Sequence, residues 1–463
     1  MSDQVAPRHP LRRQLGLVAV TALVVGEVIG VGIFLTPASM ARSLGSPMWL
    51  LIVWLVMGAM ALTGALCYGE LAARFPEAGG GYVYLRRAFG PAVAFLYGWK
   101  CLLVMDPGIT AALAAGLASY VGYLVPLPPV GRKLVAVGAI LALAAVSMVG
   151  VRLAGRVMQW LTALKVGALV LMAALALTLS LGDWSNLLPF AQQRAGSDPL
   201  PGALAPALIG AFFAFGGWWE ISKLAGEAVD PGRTLPRALA LGVAIVTAVY
   251  ILTSAVFLYL VPLEQVTTGE AFAAQAGEAL FGRAGGSVFT SIVIVAVLGS
   301  LMALLMALPR VYYAMAKDGV FFHAVATVHP RFGTPARAVA LQAGLASVLV
   351  MLGTFRQIIS YFIFITVLFV ALTVVGLFVL RHRDQRTPGY RTPGYPVTPA
   401  IFLLLAGALL VLLAVHDPLQ AALGGGIVAL GVPVYLLVFR RGRNAEGKAG
   451  HDVDPDDPAL GSG

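Results

Sequence analysis

Charge is scarce in this sequence. Only 11% of its 463 residues are Asp, Glu, Lys or Arg, while 59% are hydrophobic. A soluble surface carries roughly twice that share of charge, so a water-facing globular domain is excluded. Cysteine is scarcer still. Cys67 and Cys101 both fall inside apolar stretches, so neither is placed for an extracellular bridge, and no metal-ligand spacing exists. The six histidines are scattered, with His323, His329, His382, His416 and His451 in loops or the tail. A membrane-embedded enzyme would need His, Cys or acids clustered near one depth, and that pattern is missing. A channel is equally unsupported, because no filter sequence repeats and no pore helix has a polar face. No cleavable signal peptide is expected: Met1 to Pro10 is polar and basic and leads straight into an apolar run.

What is present is a series of apolar windows. Twelve spans are predicted, at about 15–41, 48–72, 91–124, 133–151, 157–181, 203–226, 236–262, 285–316, 338–354, 356–380, 398–415 and 420–439. The chain therefore reads as an all-α polytopic membrane protein whose solvent is the lipid bilayer. The net charge of +10 is not a nucleic-acid footprint, because Lys and Arg fall in alternate loops. Of the basic residues flanking spans, 23 lie on one side and 6 on the other. The positive-inside rule then places both termini in the cytoplasm, and the expected location is the cell membrane. Residues 1–14 form a cytoplasmic lead segment, and the polar tail 441–463, rich in Gly, Asp and Pro, reads as disordered.

Two spans are interrupted. Val25-Gly26-Glu27-Val28-Ile29-Gly30-Val31-Gly32 sets three glycines and an acid inside the first span. Phe213-Ala214-Phe215-Gly216-Gly217-Trp218-Trp219-Glu220 sets two glycines and an acid in the sixth. Glycine weakens a helix, and an ionisable group at membrane depth is expensive unless it faces protein or a water-filled cavity. Small residues also permit close helix packing, and taken alone either segment could be only that. One broken segment in each half of the chain points instead to a transporter site between inverted repeats. Lys165 is the cation deep in the fifth span and needs an acceptor. Glu27 lies three residues before Gly30; it could pair with Lys165, contact a substrate cation or carry a proton. Glu220, less than a turn beyond the second break, would line an inward vestibule. Lys100 and Asp106 are further costly charges, and Asp106-Pro107-Gly108 reads as a helix break. Glu70 and Glu227 suit ion pairs at a cytoplasmic gate. The near-repeat Arg386-Thr387-Pro388-Gly389-Tyr390 and Arg391-Thr392-Pro393-Gly394-Tyr395 reads as a stiff loop.

Several motifs in order carry a resemblance. Gly30-Val31-Gly32-Ile33-Phe34 is similar to a G-S-G-I-F pattern, with Val in place of Ser. Gly64 to Leu71, Phe75-Pro76, Gly80-Gly81-Tyr82 and Ala88-Phe89-Gly90-Pro91 follow, then Phe213-Ala214-Phe215-Gly216-Gly217-Trp218. Glu227, Asp230-Pro231, Thr234-Leu235-Pro236, Arg310, Tyr313 to Ala316, Asp318-Gly319, His329-Pro330 and Thr334-Pro335 complete the series. Together they resemble the amino acid–polyamine–organocation superfamily, and within it the L-type amino acid transporter group.

The resemblance implies a five-plus-five inverted repeat over residues 15–181 and 203–380, two further helices over 398–439, and alternating access. It implies substrate contacts at Ile29, Gly30, Val31 and Gly32 and at Phe213, Ala214, Phe215, Gly216, Gly217 and Trp218. Backbone amides freed at the first break would hold an α-carboxylate, and carbonyls freed at the second would accept from an α-ammonium. Phe213 would gate, Trp219 stands where relatives often have Asn, and Glu27, Lys165 and Glu220 would take part in gating or coupling. Relatives have a lysine matching Lys165 where sodium-coupled cousins bind the ion, and Met306-Ala307-Leu308-Pro309 offers no hydroxyl ligand. The expected protein is a sodium-independent amino acid exchanger that needs no cofactor or metal. A proton-coupled symporter is the alternative, and a non-transporting amino acid sensor is the reading from another class. Eukaryotic members join a heavy chain through a cysteine between spans three and four. The loop here, Pro126-Leu127-Pro128-Pro129, has none, so no disulfide-linked partner is expected.

Overall fold

The computed structural model describes residues 13–30, 32–77, 79–149, 154–266, 272–317, 319, 321–327, 334–383 and 389–439. Most of the lead segment, Val31, and the tail 441–463 lie outside the described residues. In lipid a backbone must satisfy its own N–H and C=O groups, and uninterrupted apolar runs do so as helices. The first interrupted run forms α1 (Leu17–Val28) and α2 (Gly32–Leu44). Then come α3 (Pro47–Arg74), the short α4 (Gly81–Phe89), α5 (Pro91–Leu124), α6 (Pro129–Val149) and α7 (Ala154–Thr178). The second half holds α8 (Leu200–Phe215), 3₁₀ turns at Trp218–Leu224, α9 (Pro231–Leu260), α10 (Phe272–Ala307) and α11 (Pro309–Lys317). It closes with α12 (Ala336–Leu352), α13 (Phe355–Arg383), α14 (Val397–His416) and α15 (Pro418–Val434). Among the described residues nine helices are long and apolar enough to span a bilayer, and the α1–α2 pair makes a tenth. Leu164–Thr178 and Ala336–Leu352 are shorter apolar helices, and with them all twelve predicted segments are helical.

Two boundaries differ from expectation. The eighth span, predicted over 285–316, is α10 followed by a break at Pro309, which has no N–H for the helix ladder. The break predicted at Asp106-Pro107-Gly108 does not occur. The chain widens into a π turn at Cys101–Met105 and continues helical. The carbonyl that Pro107 cannot pair, that of Leu103, accepts the Tyr361 hydroxyl of α13 at 3.1 Å.

Burial sorts the helices. In α5, 83% of the apolar window is buried, against 11% in the last span, so α5 is central and α15 faces lipid. α9 lies along α3, α2 along α8, and α1 against α9, α7 and the 3₁₀ turns. The start of α1 is tied by backbone. Gln14 and Leu15 N–H donate to the Glu227 carbonyl at 2.9 and 3.0 Å, and Val229 N–H donates to the Leu15 carbonyl at 2.9 Å. In α4, Tyr82, Val83, Tyr84 and Leu85 are buried while Arg86 and Arg87 are exposed, as an amphipathic segment requires.

Candidate substrate site

The two interruptions meet at the centre of the protein. α1 ends at Val28, where Ile29 N–H donates to the Val25 carbonyl at 2.8 Å, and α2 restarts at Gly32 bent by 47°. α8 ends at Phe215. Gly216 N–H turns back to the Phe213 carbonyl at 3.2 Å, and Gly217 takes φ +110°, a conformation that favours glycine. A Cβ on Gly32 would sit 2.2 Å from the Cα of Ala214, so α2 and α8 touch backbone to backbone. A Cβ on Gly217 would come within 2.9 Å of Glu27 Cγ. The Tyr250 hydroxyl of α9 lies 2.8 Å from both the Val28 and the Ala214 carbonyls, one from each break. With one proton, it donates to either in turn.

The aromatic residues divide around this crossing. Phe213 meets Phe355 and Phe362 of α13 edge-on, at 5.8 and 6.2 Å, linking α8 to α13. Trp218 stands edge-on to Tyr68 of α3 at 5.2 Å, and Trp219 stacks on Phe212 at 5.8 Å. Met57, Met60 and Phe402 join both tryptophans around a narrow apolar crevice between α3, α8 and α14. Neither Glu27 nor Lys165 lines that crevice. Trp219 is packed in this wall.

Charged groups sit beside the breaks. Glu27 is exposed although protein surrounds it, so it faces an internal vestibule. Gly30 and Gly216 are half-buried at the same place. Lys165 is buried and donates to Ser300 Oγ of α10 at 3.0 Å, which ties α7 to α10. The expected Glu27–Lys165 contact is not made within 4 Å, although each charge lies within electrostatic reach of the other. Glu220 pairs with Lys223 instead. Lys100 rests 4.7 Å above the Tyr97 ring and 2.8 Å from Met105 Sδ. Asp106 accepts from the Tyr312 hydroxyl. At one end of the bundle, Glu70 is buried and accepts from Arg74 and Arg381 Nε at 3.1 and 2.8 Å, and from Thr392 N–H and Oγ1 at 2.8 and 2.9 Å. Arg381 also covers the Tyr395 ring at 3.7 Å. The second Thr-Pro-Gly-Tyr repeat is therefore the loop that seals Glu70.

The amino acid permease family model matches residues 15–439. The chain belongs to the amino acid permease family. Among its relatives, the serine/threonine exchanger SteT of Bacillus subtilis is 30% identical over 437 residues, covering 93% of this chain and 98% of SteT. Human large neutral amino acids transporter small subunit 2 is 31% identical over 439 residues, covering 92% of this chain and 80% of the relative. Mouse Asc-type amino acid transporter 1 is 29% identical over 446 residues, covering 94% and 83%.

Within the permease, the predicted site residues Ile29, Gly30, Gly32 and Phe213 to Gly217 come together, and Val31 lies outside the described residues. Trp218 is drawn toward α3 rather than into the vestibule. Sequence reasoning missed Tyr250, Ser300, Tyr361 and Thr392. Each is a hydroxyl on a helix or loop that reads as ordinary packing. The one available signal was a hydroxyl at a position that the helical period turns inward.

Proposed function

We propose that this permease exchanges α-amino acids across the cell membrane by alternating access, without sodium and as a stand-alone carrier with both termini cytoplasmic. The observation that carries the reading is the meeting of two interrupted helices around a vestibule open at Glu27, Gly30 and Gly216. The amides of Gly30 and Gly32 stand at the N-terminus of α2, where unpaired N–H groups and the helix dipole favour a carboxylate. The ammonium goes to acceptors around the α8 break, with Phe213 as lid against α13. The matched interruptions support an inverted repeat of spans 1–5 and 6–10. The Lys165 ammonium on Ser300 supplies a fixed positive charge between α7 and α10. A cation coming and going at that place is then unnecessary. Both cysteines are buried, which supports a carrier without a disulfide-linked partner.

The test is uptake of radiolabelled amino acid by proteoliposomes of the purified protein in sodium-free buffer, with and without preloaded unlabelled substrate. Uptake confined to preloaded vesicles is expected. Uptake into empty vesicles that rises with an inward proton gradient supports the second reading, proton-coupled symport. The open carboxylate of Glu27 is the observation that favours it. Binding without flux under every condition overturns transport and leaves a sensor.

A further inference from the structure

The vestibule holds one carboxylate with nothing on it. Glu27 is exposed to the internal space, and among the described residues no hydrogen-bond donor or ion-pair partner lies within reach of it. The charged groups that face it are Glu220, Lys165 and Lys223. Each is engaged elsewhere: Lys165 with Ser300, and Glu220 and Lys223 with each other. The side chain passes over the second break, close enough that a Cβ on Gly217 would lie 3.6 Å from Glu27 Oε1. It is therefore held between the two interruptions and turned toward neither lysine.

Three of the carbonyls beside it already have a donor within reach. Val28 and Ala214 share the Tyr250 hydroxyl, and the Phe213 carbonyl accepts the Gly216 N–H. A cation entering here meets neutral backbone carbonyls and, in Glu27, a carboxylate without an ion-pair partner among the described residues. Charge-assisted hydrogen bonds are roughly twice as strong as neutral ones, so the carboxylate wins the competition for an ammonium or guanidinium. The α2 N-terminus, which begins at Gly32, repels that cation while attracting an anion.

We infer that Glu27 is the receptor for the positive group of the substrate. Its carboxylate, rather than main-chain carbonyls alone, holds the ammonium of the bound molecule. This rests on the transport reading for the site's location but makes its own claim about ligand chemistry. The chemistry has two sources, the α-ammonium common to all amino acids and the side-chain cation of a dibasic one.

The experiment measures ligand affinity on the purified full-length protein by thermal stabilisation and separates it from flux in proteoliposomes. Wild type, Glu27→Gln and Glu27→Asp are compared against four probes: leucine, lysine, cadaverine and the hydroxy-acid analogue of leucine, which lacks the ammonium. Glu27→Gln is nearly isosteric, so unliganded melting and elution as a single species report folding. Glu27→Asp keeps the charge and is expected to retain part of the affinity. A loss of tenfold or more for leucine and lysine alike in Glu27→Gln, with the hydroxy acid unchanged, assigns the α-ammonium to Glu27. A loss confined to lysine and cadaverine assigns the side-chain cation. Affinities unchanged across the panel, an equal loss for the hydroxy acid, or a wild type that binds none of the probes overturns the inference. Glu27-dependent binding in a protein that moves nothing leaves the inference standing and refutes transport.

Discussion

Tyr250→Phe removes a single oxygen from the crossing of the two interrupted helices. The ring remains, and with it the contacts to Trp54 and Phe215, each with centroids 5.1 Å apart. What goes is one O–H donor that lies 2.8 Å from carbonyls on both helices. A net intramolecular hydrogen bond is worth about 0.5–1.5 kcal/mol, and a buried carbonyl left unpaired costs about 1–3 kcal/mol. One proton serves two acceptors, so the loss is about 1–3 kcal/mol rather than twice that. If the hydroxyl is held only while the breaks are apposed, that energy is a bias between transport states. A bias of about 1–3 kcal/mol shifts their ratio roughly 5- to 150-fold. The assay is exchange in proteoliposomes alongside the melting temperature in detergent, with Tyr361→Phe as control. That variant loses a hydroxyl of the same kind, on Leu103, away from the crossing. Tyr250→Phe is expected to lower the melting temperature and change the exchange rate about tenfold, whereas Tyr361→Phe affects melting alone. Equal exchange in Tyr250→Phe and wild type would refute the idea that this hydroxyl couples the two helices.

Three further outcomes are expected. Gly32→Ala places a methyl 2.2 Å from the Ala214 Cα and abolishes exchange, while Gly138→Ala, with no heavy atom within 4 Å of the added carbon, leaves it intact. Ser300→Ala strands the Lys165 ammonium and destabilises the protein more than the double variant Lys165→Met with Ser300→Ala, because an uncompensated buried charge is worse than none. A thermal-melt cycle over the four proteins reads the difference. Arg381→Ala leaves buried Glu70 with Arg74 and Thr392 only. It costs about 3 kcal/mol, the low end for breaking a buried pair, and adding Glu70→Gln recovers part of the loss in the same melt.

The spans were legible because lipid permits few backbone solutions, and twelve apolar windows of the right length left little else to build. The interruptions were legible because glycine and acid residues at membrane depth are conspicuous. Partner choice was not. Glu27 and Lys165 have opposite charges, yet Lys165 takes a hydroxyl on α10 and Glu27 has no partner among the described residues, because opposite charge in a sequence does not say which groups the packing brings within reach. The Asp106-Pro107-Gly108 triplet was misread as a break for a related reason. A π turn and a hydroxyl donated from a distant helix absorbed the proline, and no local pattern announces either. Tyr250 shows the same limit: its ring reads as packing, while its single polar atom joins two breaks that lie 186 residues apart, counted from Val28 to Ala214.

The strap at the start of α1 has a mechanical consequence. Leu15 and Val229 bond that start to the approach of α9, and the Tyr250 hydroxyl bonds the far end of α1 to α9 through Val28. A rod pinned at both ends to one neighbour has no independent swing. α1 is thereby coupled to α9 and α2 lies backbone to backbone against α8, while the same Tyr250 hydroxyl also reaches Ala214 of α8. Val229→Pro would remove one of the three backbone bonds that hold the start of α1, and the two to the Glu227 carbonyl would still pin it, so the strap outlasts the loss of any single bond.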